Sequence, residues 1–182
     1  MSARNLHSIW ASGILFFAVN ISAADSVRAS TAFAGWLEGI VRVDAVLYDS
    51  EASTIPSLLS DGMFHQGLVE QETKSLSDTQ IEDLERFVTN DERHEGAAGC
   101  YIPHHGFVFY GKDERILGYI EVCLMCGHGH IHPEGDLSED SLWDLEGIRA
   151  LINELGMPTF DKRDDWDAYF AAIKRVDKSG KR

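Results

Sequence analysis

The apolar positions of this chain change their spacing several times, and each change marks an element. An unbroken apolar run, Ile9 to Val19, comes first and is followed by the small residues Ser22-Ala23-Ala24. Residues 42–48 are rich in β-branched and aromatic side chains with partial alternation, which predicts a strand. The polar run 49–53 reads as a loop. Residues 63–72 are consistent with a second strand whose ends are blurred by Gly62 and Gly67. Ser77-Asp78-Thr79-Gln80 has the form of a capping box. Behind it Ile81, Leu84, Phe87 and Val88 share one stripe, which predicts a helix over 78–90.

Two nearly continuous apolar runs, 106–110 and 116–123, flank Gly111-Lys112-Asp113-Glu114-Arg115. They predict a β-hairpin covered on both faces. Residues 127–137, rich in Gly, His and Pro, read as a loop. A helix over 139–155 follows from Leu142, Leu145, Ile148, Leu151, Ile152 and Leu155, closed by Gly156 and Pro158. Trp166, Phe170, Ile173 and Val176 mark a last amphipathic helix, and 178–182 form a basic tail. Trp143, Trp166 and Tyr169 read as core, whereas Arg42 and Asp44 read as solvated. The order β-β-α-β-β-α-α predicts an α+β fold: a mostly antiparallel sheet of about four strands with three helices packed on it.

The first apolar run is too short to cross a bilayer comfortably, and Arg4 is the only charged residue before Asp25. Residues 1–24 therefore read as a signal peptide cleaved after Ala24, which places the protein in the periplasm or outside the cell, with no stable membrane insertion after cleavage. An uncleaved anchor or a buried first helix is the alternative. Residues 25–40 form a weakly patterned lead-in or a short helix, and 41–177 a single domain. The net charge is −14, and loss of Arg4 makes it one unit more negative. That charge excludes nucleic acid as a partner by repulsion.

The chemistry concentrates in one window. All three cysteines, Cys100, Cys123 and Cys126, and five of the eight histidines, His104, His105, His128, His130 and His132, fall between residues 100 and 132. If the hairpin turn centres near Asp113, Cys100 lies opposite Cys126, and the Pro103-His104 pair lies level with Cys123. Three chemistries compete for this arrangement. A Cys100–Cys126 disulfide would persist in an oxidising compartment, leaving Cys123 either free and buried or paired between two chains. A zinc or copper site could use Cys100, Cys123 and Cys126 with His104 or His105. It needs the strand to turn at Leu124-Met125, since residues three apart on a straight strand point to opposite faces. His128, His130 and His132 alternate and form a secondary metal-binding strip, to which Glu134 could add a carboxylate. Thiol redox catalysis at Cys123-Leu124-Met125-Cys126 is the weakest fit, because no helix start follows to lower a thiol pKa. Gly127 stands where a covalent haem motif needs His. The sequence names no reaction and no substrate. A stapled interaction or inhibitor module without metal is the other functional class.

The pattern Cys100-Tyr101-Ile102-Pro103-His104-His105, Phe109-Tyr110, Gly118, Glu121-Val122-Cys123 and Cys126 resembles a group of uncharacterised exported bacterial proteins. These carry a Cys-x-x-Pro-[His/Arg]-His segment before a Phe-Tyr strand and a Cys-x-x-Cys segment on the next. Leu155-Gly156-Met157-Pro158 resembles their helix ending. The likeness spans about 60 residues and implies that Cys100, His105, Cys123 and Cys126 act as a set, with His105 favoured over His104. It implies no known activity, and the tract 128–132 departs from it.

Overall fold

The structure is a computed structural model that describes residues 31–53, 57–89, 101–133 and 143–179. The expected signal peptide and its cleavage point, Cys100, Glu134, Leu142 and the end of the basic tail lie outside the described residues, as does the side chain of Val176.

A five-stranded antiparallel sheet organises the chain. Its strands are β1 (Arg42–Leu47), β4 (Lys74–Ser75), β5 (His105–Tyr110), β6 (Ile116–Cys123) and β7 (His128–His132), in the order β4-β1-β5-β6-β7. A separate two-stranded ribbon, β2 (Leu59–Ser60) with β3 (Met63–Phe64), lies in the connection from β1 to β4. The helices are α1 (Thr31–Trp36), α2 (Asp78–Thr89), α3 (Leu145–Glu154) and α4 (Arg163–Ser179). The fold is α+β and mostly antiparallel, as the pattern predicted, with five strands in the main sheet instead of about four.

Local chemistry explains most of these elements. Ser77 and Gln80 form the capping box of α2: the Ser77 N–H donates to Gln80 Oε1 at 2.9 Å, and the Gln80 N–H donates to Ser77 Oγ at 3.4 Å. Helix α3 starts later than the stripe suggested, because Asp144 caps it by accepting from the Gly147 N–H at 2.8 Å. Gly156 ends it in the left-handed conformation, φ +70°. The strand expected over 63–72 is broken. Asp61 and Gly62 both take positive φ and reverse the chain between β2 and β3, and Gly67 lies so close to the Asp49 carbonyl that a Cβ would collide with it.

Both faces of the sheet are covered, which is why all of β5 is buried. One face, which includes Val43, Leu47, Phe107, Phe109, Ile120 and Val122, packs against the helices, and Phe33, Leu37 and Ile40 from the lead-in join that core. On the other face Val46, Tyr48, Leu58, Val108 and Tyr110 form a smaller core. Asp44 is not solvated as expected. It is buried and accepts from Ser75 Oγ at 2.7 Å and from Arg42 Nε at 3.1 Å.

The hairpin of β5 and β6 forms as expected, but its register is offset. His105 pairs with Val122 and Phe109 with Gly118, and a bulge then brings Tyr110 opposite Ile116. Beyond Cys123 the chain turns at residues 124–127, with Gly127 at φ +68°, and returns as β7. The stretch expected to be a loop is thus partly an edge strand.

Candidate functional site

Register decides which chemical groups meet. In an antiparallel pair, directly opposed residues share a face, and successive residues alternate. Cys123 pairs with His128, Glu121 with His130 and Tyr119 with His132. These six side chains therefore stand on one face, the same face as Tyr48 and Leu58. His105 pairs with Val122, one residue from Cys123, and so belongs to the opposite, helix-covered face.

The expected grouping of the His104-His105 pair with Cys123 is not formed: the register puts His105 on the opposite face, and His104, just before the strand, packs its ring on Trp166. His105 contacts the Pro158 carbonyl through Nε2 at 2.8 Å, and its Nδ1 has no partner. His104 stacks on Trp166, ring centres 4.3 Å apart, with neither ring nitrogen hydrogen-bonded. Burial lowers the pKa of His104 to about 3, helped by the adjacent His105, and that of His105 to about 4. Both are neutral core residues at neutral pH.

The two described cysteines differ in state. Cys123 is a free thiol with no exposed surface. Such a thiol cannot reach a second chain unless the sheet opens. Cys126 is buried and disulfide-bonded, so it supplies no thiolate.

The centre of the other face is Glu121, only 2% exposed. Its Oε1 accepts from the Tyr48 hydroxyl at 3.0 Å and from the Leu58 N–H in a very short hydrogen bond. Its Oε2 accepts from the Tyr101 hydroxyl at 3.4 Å and lies 3.5 Å from His132 Nε2. Burial, and then the charge of Glu121, push the pKa values of both tyrosines far above normal, so both remain donors.

The histidines of β7 form a half-buried ladder beside this carboxylate. Ring centres of His128 and His130 are 5.2 Å apart, and those of His130 and His132 are 6.5 Å apart. Tyr101 meets His130 edge-on at 4.4 Å, and Tyr119 stacks on His132 at 4.4 Å. Behind the ladder Trp143 lies against Gly129, where a Cβ would overlap its ring. Among the described residues, no three or more His, Cys, Asp or Glu side chains are already gathered as a metal would hold them.

Sequence reasoning missed Glu121 and its tyrosines. The available signal was Glu121 itself, the only charged residue in the run 116–123 of a hairpin expected to be covered on both faces. A charge there requires buried partners. No family model matches the chain, and no curated protein or solved structure is detectably similar to it. Among the described residues no helix is long and apolar enough to cross a membrane.

Proposed function

We propose that this is an exported domain, stapled by a Cys100–Cys126 disulfide, that binds Zn²⁺ or copper through the histidines of β7. Export rests on the signal-like residues 1–24 and on the resemblance to exported bacterial proteins. The staple rests on arithmetic: the chain has three cysteines, Cys123 is free and Cys126 is bonded. With two sulfurs so committed and the third buried, the thiolate set is replaced by imidazoles.

The observation that carries the metal reading is the 5.2 Å spacing of the His128 and His130 rings on one face of an edge strand. Two imidazoles on one tetrahedral ion, with Zn–N bonds of about 2.0 Å, hold their ring centres roughly 5 Å apart. His132 is the third candidate ligand, and water completes the shell. Imidazole donors suit Zn²⁺ or Cu²⁺ and make poor sites for Ca²⁺ or Mg²⁺. The second reading is a stapled interaction module without metal. It rests on the Cys126 bond and the buried, free Cys123, which a staple alone explains.

Titration with Zn²⁺ and Cu²⁺, paired with a thiol count on the denatured protein, separates the two. Metal binding at one equivalent, weakened at least tenfold in His130→Ala and unchanged in Lys112→Ala at the far hairpin turn, supports the metal site. One reactive thiol per chain with no saturable metal binding leaves the interaction module. Three reactive thiols without prior reduction would remove the staple.

A further inference from the structure

Between the β2–β3 ribbon and strands β6 and β7 lies a cavity of about 310 Å³, at the small end of the range for ligand pockets. Leu59, Ile116 and Pro133 supply apolar wall, and Asp61, Tyr119 and His132 supply polar and aromatic groups. Among the described residues no Lys or Arg lines it.

Asp61 is a carboxylate at the turn of the ribbon. His132 Nε2 lies 3.5 Å from the buried Glu121 carboxylate, which is itself fixed by Tyr48, Tyr101 and the Leu58 N–H, so the direction of the ring is set from the core side. The stacked rings of Tyr119 and His132 add an electron-rich aromatic wall. Acceptors, aromatic surface and negative charge together complement a positively charged donor with an apolar body. The net charge of −14 draws such ligands toward the protein.

We propose that this cavity is a binding site for a small organic cation, an ammonium or amidinium carrying an aromatic or branched apolar group. Asp61 is its counter-ion and the Tyr119–His132 pair its aromatic wall. The site needs no metal, and because it uses His132 only through its ring face, a metal held by His128 and His130 alone leaves its lining in place.

The test uses a charge-reversed pair of probes, benzylammonium and benzoate, titrated into the purified protein with EDTA present. Side-chain resonances of His132 and Tyr119 are followed by NMR. Benzylammonium is expected to shift both saturably and to bind at least fivefold tighter than benzoate. Asp61→Asn removes the charge while keeping a residue that tolerates the positive φ of 51°. It should weaken benzylammonium about fivefold, the effect of a partly exposed ion pair of about 1 kcal/mol. Equal binding of benzoate, no saturable shift at His132 up to about 20 mM, a level near the weak limit of specific binding, or unchanged affinity in Asp61→Asn would each overturn the proposal.

Discussion

Glu121 shows how one side chain can organise a face. Three donors converge on its carboxylate, two of them buried with it and the third, Tyr101, half-buried, and His132 Nε2 lies 3.5 Å away. Removing the acceptor strands those donors away from water, which costs more than the bonds themselves contributed. Glu121→Ala should therefore destabilise the protein by about 3–5 kcal/mol, the range for breaking a buried charged network. Glu121→Gln keeps most acceptor geometry and should cost about 1–2 kcal/mol. Urea denaturation of both variants measures this, and equal, small losses would show that the network contributes little. The buried imidazoles give a second prediction at this scale. An unfolded chain takes a proton on each histidine near pH 6.5, whereas the fold resists it down to about 4 at His105 and about 3 at His104. The unfolded state thus binds more protons across that window. The stability is fully present above pH 6.5 and is lost as pH falls from 6.5 toward 4, by up to about 1.4 kcal/mol per pH unit for each imidazole. Denaturation at pH 7.0 and pH 5.5 should differ accordingly, and His104→Phe should remove about half of that difference. A flat profile would show that these rings are hydrated.

At the scale of elements, the legible parts were those whose periodicity and end signals agreed. Helix α2 announced itself by its capping box, α3 by its Gly156 stop, and β5 with β6 by two apolar runs around a polar turn. Strand β7 was not legible, because its composition is that of a loop. Its His-Gly-His-Ile-His alternation was nonetheless a period of two, and it was read as a common direction for three side chains, not as a strand. The two-residue strands β2, β3 and β4 are too short for any periodicity to show. The placement of His105 has a related cause. A hairpin read from its turn carries an error of one residue, and one residue exchanges the two faces of the sheet. That offset moved His105 away from Cys123 and left the histidine strip, the secondary expectation, beside Glu121. Strand β7 also carries a steric prediction. Gly129 has Trp143 where its side chain would be, so Gly129→Ala should overpack that contact and cost about 1–3 kcal/mol. A shift in Trp143 fluorescence should accompany the loss. Gly62→Ala, with open space but φ +75°, would cost through backbone strain alone and leave the tryptophan signal unchanged.

For the molecule as a whole, the sheet separates a dry, helix-covered side from a side where ionisable groups cluster, and Cys123 sits at the margin of the second. That thiol is free, has no exposed surface and belongs to β6, which pairs with a strand on each side. An alkylating reagent can reach it only when that part of the sheet comes apart. Its modification rate, divided by the rate for an open thiol, is then a clock for the opening equilibrium, with every factor of ten corresponding to about 1.4 kcal/mol. The chain in effect carries its own probe of breathing at the inner end of β6, readable by mass spectrometry without any added label. Addition of Zn²⁺ should slow the clock if the ion ties β7 down, because a ligand bound only to the closed state lowers the open population by mass action. A clock that runs at the same pace with and without the ion would mean that β7 is held by its hydrogen bonds alone.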